Sequence, residues 1–305
     1  MSSPEQTQTI RYVLAFIHPE NDGIEHVDVT AFLNELNKID SPKERTKIDF
    51  LLNSNGGDIY AAYKIMCLLR SKCSSLQVII PLYAKSAATL MALGADKIVL
   101  APQSELGPLD APMEHPLVEG IHLSALDGVR PLEFLSDFSS HLALDVLGVR
   151  IREQIGLGRK DSVDLALRFA GQFVKPIVGK LDPLVINMCY RRLQIAERYG
   201  HELLMEYMFK DKPMKETLAT RTIKQLVWEY PEHGYAICCD EAKRINLETI
   251  GPDAFDEWNR FWNLFLSLSQ ENRKVIRLIP QEIFERIPNT VSGEEQPNAG
   301  QGEKS

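Results

Sequence analysis

The chain has 305 residues, 44% of them hydrophobic and 25% charged, so it can bury a sizeable core and is neither wholly disordered nor collagen-like. With 34 Lys and Arg against 42 Asp and Glu the formal charge is −8, which gives a phosphate backbone no net reason to approach and excludes nucleic acid as the expected partner. The 5 cysteines have no C-x-x-C spacing and no clustered histidines beside them, so neither a disulfide framework nor a metal site is indicated and a reducing, cytoplasmic compartment is expected.

Residues 1–9 are polar and read as a flexible N-terminus without the basic and apolar runs of a signal peptide. Ile10–Ile17 then reads as a strand, Val27–Ile39 as a helix, Ile48–Leu52 as a strand and Asp58–Arg70 as a helix. In that second helix Ile59, Ala62, Tyr63, Met66 and Leu69 share one face of a 3.6-residue period, which predicts burial on one side. Leu76–Tyr83, Ala87–Ala95 and Ile98–Leu100 continue as strand, helix and strand. The stretch 76–95 has the length of a membrane span, but Pro81, Lys85, Ser86 and Thr89 near its middle argue against one. The continuous runs IDFLL and LQVIIPLY suit central strands covered on both faces. Residues 10–130 are therefore expected to form an α/β layered core with mostly parallel strands.

From Pro131 the pattern becomes helical, with long stretches at Pro131–Ile155, Ser162–Val178 and Pro183–Met208, and 131–212 reads as a helical insertion or lobe. Residues 213–287 read as the C-terminal part of the core with closing helices. Within them Cys238 and Cys239 are expected in a buried strand, Phe255–Leu268 in a helix and Lys274–Ile279 in a strand. The tail 288–305 is rich in Gly, Pro, Glu, Asn and Ser and is expected to be disordered.

Two strand-to-helix turns carry the chemistry. Asn53-Ser54-Asn55-Gly56-Gly57-Asp58 places adjacent glycines before a helix, where bare backbone N–H groups and the helix terminus suit an oxyanion, although Gly-Gly also serves simply as a tight connection. Tyr83-Ala84-Lys85-Ser86-Ala87-Ala88-Thr89 places a hydroxyl at a helix start, ordinarily an N-cap, beside residues small enough to admit another chain. On neighbouring parallel strands the two turns meet at one sheet edge, where a serine nucleophile and backbone donors face the same carbonyl.

The pair NSNGG and AKSAATLMALGADKIVLAPQSELGPLDAP resembles the Clp protease and crotonase fold, and most closely the serine dehydrogenase proteinase family related to signal peptide peptidase A, over about residues 45–115. PEHGYAICCDEAKRINL resembles the short strand and helix that close that core. The resemblance implies a soluble serine peptidase that cleaves peptide or protein substrates through an acyl-enzyme on Ser86, with the Gly57 and Ala87 amides as oxyanion hole. It also implies a homo-oligomer, and it calls for no cofactor or metal. Asn55 stands where relatives usually carry proline, and Ala87-Ala88 replaces a frequent Gly-Gly.

A serine hydroxyl needs a base to attack at neutral pH. Lys97 lies eleven residues on, about 16 Å along a helix, and Lys85 as the immediate neighbour points to the opposite face. A lysine dyad therefore requires the helical insertion to deliver Lys160, Lys175 or Lys180, with Lys180 the alternative base. By the resemblance, Asp110 lies about where a Clp protease places its histidine, and His233 beside the position of its aspartate. A triad with exchanged roles follows: Ser86 as nucleophile, His233 as base and Asp110 as orienter. His115 is a second histidine candidate. The rival readings are a crotonase-type acyl-CoA enzyme and a catalytically silent oligomeric scaffold.

Overall fold

The computed structural model describes residues 9–110, 112–114 and 122–290. Strand β1 (Ile10–Ile17) leads through helix α1 (His26–Leu36) to β2 (Thr46–Asn53), and α2 (Ile59–Lys72) leads on to β3 (Ser75–Ile80). A short β4 (Tyr83–Ala84) and α3 (Ala87–Leu93) precede β5 (Lys97–Leu100) and β6 (Glu105–Leu106). A hairpin of β7 (Pro112–Glu114) and β8 (His122–Ser124) opens the helical portion: α4 (Ala125–His141), α5 (Gly148–Ile155), α6 (Arg159–Val178), α7 (Pro183–Leu203) and α8 (Lys215–Lys224). The chain then closes with α9 (Cys239–Arg244), β9 (Thr249–Ile250), α10 (Trp258–Ser269), β10 (Val275–Ile279) and α11 (Gln281–Glu285).

The main sheet has the order β10-β1-β2-β3-β5-β9. All neighbours run parallel except β10, which pairs antiparallel with β1 at one edge. This is the expected mixed α/β fold with a mostly parallel sheet. The apolar runs are continuous because both faces are covered. Leu14 and Phe16 of β1 join Phe32, Phe50 and the helices α1 to α3 on one face, while Val13, Ala15 and Ile17 meet Phe261, Phe265 and Phe284 on the other. Each fully buried phenylalanine contributes roughly 1.5–3 kcal/mol relative to exposure.

Three sequence expectations are corrected. The strand predicted over Leu76–Tyr83 breaks after Ile80, since Pro81 has no N–H to offer the ladder, and Tyr83-Ala84 pairs instead with β6. The first long helix begins at Ala125, not Pro131, and runs through that proline. Its start is over-determined: Ser124 accepts the Asp127 N–H and Asp110 accepts the Leu126 N–H, which offsets the cost of proline in the second turn. Cys238 is exposed at the N-cap of α9 and Cys239 lies half-buried in its first turn; only Ile237 before them pairs, in an isolated bridge with Leu106.

The helical portion packs more thinly. Helix α6 buries Ser162, Ala166, Ala170 and Val174 along one line, and only Ala143, Ala166 and Ala170 form a buried cluster of their own there. Phe134 and Phe169 remain 65% and 51% exposed. Among the described residues no helix is long and apolar enough to cross a membrane.

Candidate active site

The parallel ladder brings the two turns together. Beyond the end of β2, the Ser54 N–H donates to the Tyr83 carbonyl at 3.0 Å and the Lys85 N–H donates to the Ser54 carbonyl at 3.0 Å, so the Gly-Gly turn lies beside the serine turn as the sequence predicts. Gly56 (φ +102°) and Gly57 (φ +140°) adopt conformations that favour glycine. A Cβ on Gly56 would stand 2.7 Å from the Lys85 carbonyl oxygen and 2.9 Å from Ser86 Cβ; one on Gly57 would stand 2.3 Å from Ile24 N. Asn55, in the place of the usual proline, holds the turn by donating its Nδ2 to the Glu20 carbonyl at 2.9 Å.

Ser86 has φ +50° and ψ −118°, a conformation in which a non-glycine residue stores roughly 1–3 kcal/mol. It is buried, and its hydroxyl does not cap α3, as a helix-start serine ordinarily would. Instead Oγ donates to the Asp110 carbonyl at 2.9 Å. Thr89, in the first turn of α3, locks the elbow: its one hydroxyl proton lies between the Ala84 and Gly107 carbonyls, 2.6 and 2.8 Å from Oγ1, and Oγ1 accepts the Gly107 N–H at 3.1 Å. The Gly56, Asp58 and Ala88 N–H groups donate to Ser54 Oγ, the Ile24 carbonyl and the Lys85 carbonyl, whereas those of Gly57 and Ala87 have no acceptor among the described residues.

Asp110 is fully buried. It accepts the Leu126 N–H at 3.0 Å and the Ser124 hydroxyl, and His233 Nδ1 stands 3.6 Å from its Oδ2, an ion-pair separation just longer than a hydrogen bond. Burial works against ionisation, but the His233 ring, the Ser124 hydroxyl and the Leu126 N–H outweigh it and hold the Asp110 carboxyl below the usual carboxylate range. His233 is part-exposed on the loop after Tyr230. Arg130 of α4 fixes that loop by donating to the Tyr230 and Pro231 carbonyls, and the Tyr230 and Tyr235 rings pack with centroids 4.7 Å apart. Ser86 and His233 are thus each linked to Asp110, the serine by a hydrogen bond to its backbone carbonyl and the histidine at ion-pair distance from its carboxylate, and no contact joins Ser86 to His233 among the described residues.

The lysines lie elsewhere. Lys85 Nζ pairs with Glu105 at 2.6 Å, and Lys97 is exposed on β5. Lys180 is exposed in the turn after α6, and no contact joins it to Ser86 among the described residues. His115 lies outside the described residues. The sequence reading missed His18 and Ser54. His18 Nδ1 is 2.9 Å from Ser54 Oγ, which also accepts the Gly56 N–H at 3.1 Å. The available signal was register: Ile17 pairs with Asn53, so the next residue of each strand, His18 and Ser54, falls side by side.

Comparison with known proteins bears out the resemblance. Residues 26–122 match the model of the ClpP-like SDH-type serine proteinases. Two Methanocaldococcus jannaschii proteins are similar in sequence. Uncharacterized protein MJ0137 is 26% identical over 208 residues, 68% of this chain and 54% of the relative, so the match spans about half of that relative's length. Uncharacterized protein MJ1495 is 36% identical over 67 residues, 22% of this chain and 23% of the relative. Among solved structures, a variant of the 1510-N membrane-bound stomatin-specific protease is 16% identical with a TM-score of 0.32, covering 80% of this chain and 97% of that one. A ClpP1 variant from Listeria monocytogenes is 14% identical with a TM-score of 0.26, covering 49% and 77%.

Proposed function

We propose that this protein is a serine peptidase in which Ser86 is the nucleophile, Gly57 and Ala87 supply the oxyanion hole, His233 is the general base and Asp110 orients it. One observation carries the reading: Ser86 is held at φ +50° with its hydroxyl off the helix it begins, directly against Gly56 and beside two amides without acceptors among the described residues. A strained residue over-determined by its surroundings is a mark of function, and a helix-capping serine would need no such strain.

In the proposed reaction Ser86 Oγ turns from the Asp110 carbonyl toward the His233 ring, which takes its proton as the Oγ–carbon bond forms. Negative charge develops on the former carbonyl oxygen, where the Gly57 and Ala87 N–H groups and the start of α3 stabilise it. His233 returns the proton to the departing amine, leaving an acyl-Ser86 ester. Water, deprotonated by the same ring, then releases the carboxylate and restores the serine. The ionised Asp110 carboxylate, 3.6 Å from Nδ1, stabilises the transient imidazolium.

The reading extends to assembly and location. Exposed Phe134, Phe138, Phe169 and Phe173 on α4 and α6 favour self-association, which light scattering measures. None of the five cysteines is in a disulfide, which suits a reducing compartment. The direct test of function is cleavage of unfolded, fluorescein-labelled casein by the intact protein. Cleavage that vanishes in Ser86→Ala supports the assignment; no cleavage by the intact, folded protein favours the silent scaffold.

A further inference from the structure

The loop between β1 and α1 meets the start of β10 at one ammonium group. Half-buried Lys274, just before β10, donates Nζ to the Gly23 carbonyl at 2.8 Å and to Asp28 Oδ2 at 3.1 Å, and pairs with Asp22 Oδ1 at 3.0 Å. Three acceptors thus match the three protons of the ammonium, and Glu25 Oε2 adds negative charge at 3.7 Å. Burial works against the charge, but Asp22 and Asp28 outweigh it and raise the Lys274 pKa above its ordinary value. Asp22 Oδ1 also accepts the Gly23 N–H at 2.7 Å and Asp28 Oδ2 the Glu25 N–H at 2.8 Å, so the group ties down both sides of the stretch that carries Ile24.

Ile24 in turn holds the Gly-Gly turn. Its N–H donates to the Gly56 carbonyl at 2.7 Å, and its carbonyl accepts the Asp58 N–H at 2.8 Å. Gly23 lies close against the same turn, where a Cβ would stand 3.2 Å from the Gly56 oxygen. The Gly56 carbonyl and the Gly57 N–H belong to one planar trans peptide, in which the two groups point in opposite directions. Anchoring the Gly56 oxygen on Ile24 therefore fixes the direction of the Gly57 N–H, the amide without an acceptor among the described residues. With glycine on both sides no side chain resists rotation of that peptide plane, and the Ile24 bond supplies the restraint.

We propose that Lys274 is a positioning residue for the oxyanion hole: its ammonium clamps residues 22–28, so that Ile24 keeps the Gly57 N–H aimed at the reacting carbonyl oxygen. Lys274 acts only through this loop. Its service to catalysis rests on the peptidase reading; the clamp on the Gly56–Gly57 peptide does not.

Gly56-Gly57 is the one adjacent glycine pair in the sequence, so the full-length chain labelled with carbonyl-¹³C, ¹⁵N-glycine gives a single carbonyl-to-amide NMR correlation, that of Gly57. Lys274→Ala is expected to move this resonance and to lower kcat for casein at least about tenfold. KM and the pH profile should stay unchanged, because the lost interaction acts in the transition state and His233 is untouched. Added n-propylammonium replaces the deleted end of the side chain and is expected to restore both readouts; tetramethylammonium, a cation without N–H donors, is not. If Lys274→Ala does not fold, Asp22→Asn keeps the acceptor for the Gly23 N–H and loses the charge facing Lys274, and it is expected to move the resonance and lower kcat about threefold. A Gly57 resonance that stays in place overturns the proposal, as does a cleavage loss that appears in KM or ignores propylammonium. Casein cleavage by the unmutated protein separates the two readings. Cleavage with an unmoved Gly57 leaves the peptidase and removes the clamp; a Gly57 shift without cleavage removes the peptidase and the catalytic role of Lys274 with it, and leaves the clamp alone.

Discussion

The two halves of the candidate site are built differently. The Ser86 half rises from the parallel sheet: Ser86, Gly57 and Ala87 sit on turns between fully packed strands and α3, every residue of which is buried. The Asp110 and His233 half belongs to the junction with the helices, where Asp110 anchors the start of α4 and Arg130 of that helix grips the loop carrying His233. The first half can store strain because its core over-determines it, whereas the second is held by a few polar contacts. Chemistry that needs both depends on the weaker junction as much as on the nucleophile.

The largest effects should erase the difference between the halves. Ser86→Ala and His233→Ala should each reduce casein cleavage by roughly 10³-fold or more, with the double variant little worse than either, because nucleophile and base act as a unit. Lys180→Ala should leave cleavage unchanged. If His233→Ala retains cleavage while Lys180→Ala loses it, the base assignment moves to the lysine.

Stability variants sharpen the comparison from the other side. Phe50→Ala, in the sheet core, should cost about 3–5 kcal/mol in urea unfolding. A buried histidine offers a pH-dependent counterpart. His18 is held near a pKa of about 4, below its ordinary value, so its contribution is complete above about pH 6.5 and is lost as pH falls toward 4. That loss should amount to about 3 kcal/mol, and His18→Asn should flatten the stability profile over this window. At the junction, Asp110→Asn should cost about 1–3 kcal/mol through its bonds to Ser124 and Leu126. Because the Asp110 carboxyl titrates below its ordinary value, its stabilisation is present above the usual carboxylate range and lost as pH falls through the folded value, so the variant should also soften acid unfolding. Phe169→Ala, half-exposed on α6, should change stability by less than about 0.5 kcal/mol.

What was legible in the sequence follows the same division. Continuous apolar strands, the Gly-Gly turn and Ser86 could be read because hydrophobic period and turn chemistry are local signals. Asp110 beside His233 was reachable only through resemblance, since 122 residues of chain lie between them and no periodicity links them. The start of α4 was misread because Pro131 is a strong local stop, while the contacts that overrule it come from Ser124 and the distant Asp110. His18 and Ser54 were missed because their pairing depends on strand register, which a sequence without the sheet order does not specify.

The most direct measurement treats the intact protein with a fluorophosphonate probe at neutral pH and locates the adduct by peptide mass spectrometry. The account predicts a single adduct on Ser86, absent in Ser86→Ala and slowed in His233→Ala. A folded protein that takes no label at Ser86 from neutral to alkaline pH would contradict it.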